Sequence, residues 1–165
     1  MNMKNAVALI LAMVMALPVV AQDTYNQTPE QAKALETANW FVPLSYGGFD
    51  FEVPAGSLVE KNSKMLVKYP DGSFGVSMEN EGLKLDQKIA FEKARMYATK
   101  YGLTDAKTEK VKVGGVDGAK ATGRLENHDV TVLILPVSDQ QVTTVLMATP
   151  NRKEWADHFI ESLKH

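Results

Sequence analysis

The chain has 165 residues, 45% of them hydrophobic, with no cysteine and a formal charge of −2. These values exclude a disulfide-stapled mini-protein, a thiol enzyme, a zinc-thiolate module and a strongly basic nucleic-acid binder. The apolar residues are unevenly spread, since 17 of the first 21 are hydrophobic.

That first stretch has the plan of an export signal. Lys4 supplies a positive start, residues 6–17 are continuously apolar, Pro18 breaks the run, and Val19-Val20-Ala21 places small residues where a signal peptidase cuts. The run is too short to span a bilayer. We therefore expect residues 1–21 to be a signal peptide and residues 22–165 a single exported domain, periplasmic or secreted. Gln22 would then begin the chain, so no lipoprotein cysteine is present to carry a lipid. The remaining 144 residues hold 17 basic and 20 acidic side chains, a formal −3. A chain of that length can bury a core without disulfides.

Residues 22–28 read as a loose polar leader. Thr28, Pro29 and Glu30 are the start of a helix running to about residue 37, with Thr as the cap and Pro in the first turn. Trp40 and Phe41 lead into extended chain. Phe49, Phe51 and Val53 alternate with Asp50 and Glu52, a half-buried strand ended by Pro54-Ala55-Gly56. Met65, Val67 and Tyr69 form the next alternation, Pro70-Asp71-Gly72 a turn, and Phe74, Val76 and Met78 the returning strand, which together predict a hairpin. Residues 85–101 predict a long helix whose stripe is Ala90, Phe91, Ala94, Tyr97, Ala98 and Tyr101, stopped by Gly102.

A second strand set follows. Val111 and Val113 alternate with lysines, Gly114-Gly115 begins a loop, and Ala119, Ala121, Gly123 and Leu125 alternate with polar residues. After a turn around Asn127, Val132-Leu133-Ile134-Leu135 is apolar without alternation, which predicts a central strand covered on both faces. Its neighbour runs over residues 142–148. Asn151 and Glu154 stand in capping-box spacing before a final helix with Trp155, Ala156, Phe159, Ile160 and Leu163 on its buried stripe. The order predicts an α+β domain: one antiparallel sheet with helices packed on it, an α/β/α layered sandwich.

Three stretches resemble the PsbP, Mog1 and DcrB-like group of small layered domains. They are Phe49-Asp50-Phe51-Glu52-Val53-Pro54-Ala55-Gly56, then Val113-Gly114-Gly115-Val116-Asp117-Gly118, then the closing strands through Thr149-Pro150 with a helix ending Phe159-Ile160-Glu161-Ser162-Leu163-Lys164. The resemblance spans about residues 41–164. Where the group usually has a Trp after its opening turn, this chain has Ser57. The resemblance implies a non-catalytic domain that docks on other proteins, and it transfers no active site.

The residues themselves present no catalytic constellation. His128, in Glu126-Asn127-His128-Asp129, reads first as part of a polar turn, because a metal site needs three or four converging ligands. His158 reads as a solvated helix position with ordinary i,i+4 neighbours, and His165 as a frayed end. Residues 118–125 lack the Lys-Ser/Thr pair of a phosphate loop, and no Gly-x-Ser-x-Gly elbow occurs.

Two surface groups remain as candidate partner-binding sites. If Val111 and Val113 face inward with Ala119 and Ala121, then Lys110, Lys112, Lys120 and Arg124 share the outer face, a basic patch for an acidic partner or anionic lipid. The plainer role for those lysines is to discourage edge-to-edge strand pairing. Trp40, Phe41 and Tyr46 form an aromatic group that either anchors a partner or closes the core as a flap. The leading expectation is an exported, non-enzymatic accessory or adaptor domain that binds another envelope protein, with no cofactor, metal or nucleic acid. The alternative is a small-molecule or lipid-binding protein with an apolar cavity between the long helix and the sheet, walled by Phe91, Tyr97 and Tyr101. A third is a hydrolase whose site converges only in three dimensions.

Overall fold

The computed structural model describes residues 41–82 and 86–165. The expected signal peptide, the leader, the helix over residues 28–37 and Trp40 lie outside the described residues.

Five strands come first: β1 (Phe41–Tyr46), β2 (Phe49–Pro54), β3 (Leu58–Lys61), β4 (Lys64–Lys68) and β5 (Phe74–Glu81). Helix α1 (Gln87–Lys100) follows, then β6 (Thr104–Val113), β7 (Val116–Leu125), β8 (His128–Val137) and β9 (Gln140–Ala148). A 3₁₀ turn at Pro150–Arg152 leads into helix α2 (Lys153–Ser162). Seven strands make one antiparallel sheet in the order β3-β4-β5-β9-β8-β7-β6, and β1 pairs with β2 in a separate ribbon. The expected α+β layered architecture is present. Strands β1 and β3 and the separate ribbon are additions to it.

Each face of the large sheet carries its own core. Helix α1 lies on the first face. Asp86 caps it, its Oδ1 accepting from the Ile89 amide at 2.8 Å. Gly102, at φ 66°, ends it with its amide bonded to the Thr99 carbonyl. Ala90, Ala94 and Ala98 are buried against Ala119 and Ala121 of β7, so small residues on both sides let helix and sheet approach closely. Phe91, Tyr97 and Tyr101 flank that contact, as the expected stripe requires. On the second face the β1–β2 ribbon and α2 cover a larger core. There Phe51 meets Phe159 edge-on with ring centroids 5.3 Å apart, and Trp155 packs against Tyr69 and Phe74.

Strand β8 lies inside the sheet between β9 and β7, and Val132, Leu133, Ile134 and Leu135 are all fully buried between the two cores. The Pro70-Asp71-Gly72 turn joins β4 and β5 as expected. Gly72, at φ 75°, donates its amide to the Tyr69 carbonyl.

The structure corrects the register of the β6–β7 ribbon. Gly114 and Gly115, at φ 58° and 83°, form a complete two-residue turn, so Val113 stands opposite Val116 and Val111 opposite Gly118. With a turn of two residues, odd-numbered positions of β6 share a face with even-numbered positions of β7. Val111 and Val113 therefore pack in the second-face core, whereas Ala119 and Ala121 pack under α1.

Two terminal features also differ from expectation. Asn151 does not cap the final helix. Thr149 and Pro150 start a 3₁₀ turn one step earlier, Asn151 Oδ1 accepts from the Thr149 hydroxyl at 2.5 Å, and Arg152 occupies the cap position, its side chain engaged elsewhere instead of bonding the helix end. The C-terminus is tied in. Lys164 exchanges both backbone hydrogen bonds with Asp50 of β2, and the His165 amide donates to the Gly114 carbonyl at 3.2 Å.

Candidate functional site

Phe74, Ala148, Asp129 and Arg124 stand side by side across β5, β9, β8 and β7. The β4–β5 turn, the β7–β8 turn and the segment after β9 consequently project from one end of the sheet. Between them lies a cleft of about 380 Å³. Asp71, Gly72 and Ser73 form one side, and Glu126, Asn127 and His128 another. Thr149 and Asn151 close it, while Met147 and Gly75, opposite each other in register, lie at its base.

Local sequence explains the walls. Asp71 Oδ1 accepts from the Ser73 amide at 2.8 Å, the side-chain-to-backbone bond that shapes a Pro-Asp-Gly turn. Leu125 pairs with His128, so Glu126 and Asn127 are a two-residue hairpin turn, with Glu126 held at φ 55°. The Glu126 carboxylate has no ion pair or side-chain hydrogen bond among the described residues. Arg152 fastens the far wall. Its guanidinium lies 4.0 Å above the Trp155 ring, its Nε donates to Ser73 Oγ at 3.4 Å, and its Nη2 is 3.8 Å from Asp71 Oδ2.

His128 bridges two turns. A carbonyl only accepts, so His128 Nε2 carries the proton and donates to the Gly72 carbonyl at 3.1 Å. In that tautomer Nδ1 is an acceptor, and this atom is buried with no hydrogen-bond partner among the described residues. Leaving such an acceptor unsatisfied costs about 1–3 kcal/mol. Among the described residues no group of three or more His, Asp or Glu is placed to hold a metal ion. The cleft lining combines carboxylate, amide and hydroxyl side chains with apolar surface.

The basic patch does not form as one surface. Lys110 and Lys112 lie on the α1 face and are exposed, in register with Ala119 and Asp117. Lys120 and Arg124 lie on the opposite face, where Lys120 pairs with Glu109 at 2.8 Å and Arg124 with Asp129 at 3.5 Å. The two-residue glycine turn sets this split. Lys110 and Lys112 do sit on β6, an edge of the sheet, where lysines blunt strand pairing.

Phe41 and Tyr46 are half-buried and pack on the second-face core. The Tyr46 hydroxyl donates to the Ser63 carbonyl at 3.0 Å. Phe41 stacks on His158 with ring centroids 3.7 Å apart, and His158 Nε2 lies 2.6 Å from Glu52 Oε2. His158 is thus a clamp between α2 and the ribbon, not a solvated helix position. His165, expected to fray, packs its ring beside Phe49 and Gly48.

Where the small-molecule-binding alternative places an apolar cavity, between the long helix and the sheet, Ala90, Ala94, Ala119 and Ala121 are fully buried in one cluster. No local pattern signals the turn-end cleft, because its lining comes from three separate segments around Ser73, Asn127 and Thr149.

No family model and no curated protein matches this chain. Solved structures do. The solution structure of cyanobacterial PsbP (CyanoP) from Synechocystis sp. PCC 6803 is similar over 87% of this chain and 97% of its own, with 10% identity and a TM-score of 0.54. The chain has a PsbP-like fold. A crystal structure from Bacteroides thetaiotaomicron VPI-5482 aligns over 70% of this chain at 14% identity and a TM-score of 0.48, and this chain spans 44% of its length. The crystal structure of LpqN, involved in cell envelope biogenesis of Mycobacterium tuberculosis, aligns over 86% of this chain and 98% of its own, at 12% identity and a TM-score of 0.45.

Proposed function

We propose that this chain is an exported, non-enzymatic accessory domain that docks on another protein of the envelope, with the turn end as its docking surface. The observation that carries the reading is the cleft. Three turns gather around it, and the Glu126 carboxylate on its rim has no ion pair or side-chain hydrogen bond among the described residues. Groups left unused by the fold at a loop cluster are the usual place for recognition. The PsbP-like fold supports an accessory role by analogy of architecture, and the apolar segment at residues 6–17 ended by Pro18 supports export. The histidine side chains support a non-catalytic reading, since both ring bonds found are structural: His128 to a carbonyl and His158 to Glu52.

The test is site-specific photocrosslinking in the native envelope, with the photoreactive residue at Asn127 on the cleft rim or at Asp139 in the β8–β9 turn. A partner captured from Asn127 and not from Asp139 is expected. Equal capture from both positions contradicts a turn-end surface.

A further inference from the structure

We infer that the outer side of α1 rests on an anionic lipid surface, with Ile89 and Met96 entering the headgroup layer and cations around them meeting the lipid phosphates. Ala90, Ala94 and Ala98 turn one side of α1 to the sheet. Ile89 and Met96 stand on the other side, seven residues and about two turns apart. They are 48% and 55% exposed, and Met96 is the most exposed large hydrophobic side chain among the described residues. Neither belongs to either core. The same helix concentrates positive charge. It carries Lys88, Lys93, Arg95 and Lys100 against the single acid Glu92, in a chain of formal charge −2. Lys93 is committed to Glu81 and Arg95 to Glu92, whereas Lys88 has no ion pair among the described residues. Lys110 and Lys112 of β6 are exposed on the α1 face of the sheet and add two cations beside the helix, with Asp117 in register with Lys112.

These features favour a lipid surface over an acidic protein. Apolar side chains flanked by lysine and arginine are the pattern of helices that lie in a membrane interface. The apolar groups enter the boundary, and the long basic stems reach back to the phosphates. Protein interfaces are poor in lysine, and their strongest contacts sit in packed recesses, which the ridge of a helix does not offer. A fluid leaflet conforms to the ridge and leaves the stems mobile. Among the described residues no helix is long and apolar enough to cross a membrane, and α1 accordingly lies along the surface. None of these residues lines the turn-end cleft, so a protein partner there and a bilayer against α1 draw on different groups.

The chain has no cysteine, so Met96→Cys carries an environment-sensitive fluorophore with no competing thiol. On vesicles of equal parts phosphatidylglycerol and phosphatidylcholine, the label should shift to the blue, saturably, and return when salt is added. On phosphatidylcholine alone it should not move. The label reports α1 itself, whatever else in the chain touches a vesicle. A label at Val59→Cys, exposed on the second face at the opposite edge of the sheet, should stay unshifted on both. Each cation near an anionic leaflet strengthens binding about fivefold, so Lys88, Lys110 and Lys112 replaced together by Gln should weaken it by about a hundredfold. All three are exposed, and unchanged thermal unfolding shows that the variant keeps its fold. No shift at Met96→Cys on anionic vesicles, an equal shift on phosphatidylcholine, an equal shift at Val59→Cys, or undiminished binding by the folded triple variant overturns the inference. A shift with soluble poly-glutamate and none with anionic vesicles assigns the face to an acidic protein, and overturns it equally.

Discussion

Val113 and Val116 face each other directly across Gly114 and Gly115, and this one pairing sets the faces of the charged residues from Lys107 through Lys120, up to the register shift between Thr104 and Lys107. It places Lys120 opposite Glu109 and parts it from Lys110 and Lys112.

One consequence is electrostatic. The hydrogen bond and charge of Lys120 hold the Glu109 carboxyl below its ordinary value of 4.5. A carboxyl depressed in the folded state stabilises above its unfolded value, and that contribution is lost as pH falls through the folded one. Replacing Lys120 with Met should raise the Glu109 titration midpoint toward the ordinary range, read by carboxyl NMR. Replacing Lys110 or Lys112 should leave it in place.

Packing between strands gives a second expectation. A Cβ added at Gly118 would meet the Ile134 carbonyl oxygen at 2.4 Å and Leu135 Cδ2 at 2.8 Å. Backbone cannot move aside cheaply, so Gly118→Ala should cost about 3 kcal/mol or more. At Gly72 nothing lies within 4 Å, but φ is 75°, so Gly72→Ala should cost only the backbone strain of about 1–2 kcal/mol. Denaturant unfolding of the two variants separates crowding from strain.

The contact beneath α1 gives a third. Ala94 is fully buried against the sheet, so Ala94→Leu should destabilise by about 1–3 kcal/mol by forcing the helix outward. A true cavity there would accept the larger side chain at no cost. Met96, 55% exposed on the outer side of α1, should tolerate Ala within about 0.5 kcal/mol.

Alkaline stability gives a fourth. Burial, then Tyr97, then Glu79 push the Tyr101 phenol up to about 12. Between its ordinary value of 10 and about 12, the unfolded chain gives up this proton while the folded chain keeps it. Stability should therefore fall as pH rises through that window, and Tyr101→Phe should flatten the fall. Ultraviolet titration of phenolate against thermal unfolding checks both.

Much of this architecture was legible because local pattern and packing agree. The Pro-Asp-Gly turn, the alanine-spaced helix and the unalternating β8 each have a single structural use. Strand parity was not legible, because Gly114-Gly115 can be a whole turn or the start of a longer loop, and one residue of difference exchanges the faces. The clamp of Phe41 on His158 and the pairing of Asp50 with Lys164 join residues more than a hundred positions apart, which no local pattern encodes. The same holds for the cleft. Asp71, Glu126, His128 and Asn151 each read as turn or cap residues alone, and only the common end of β5, β7, β8 and β9 makes them neighbours.

Docking at the turn end is read out by crosslinked capture at Asn127 with paired charge variants. Capture should be lost when Asp71 and Glu126 are replaced by Asn and Gln, and retained when Lys110 and Lys112 are both reversed to Glu. Undiminished capture by the Asp71→Asn, Glu126→Gln protein would contradict the account.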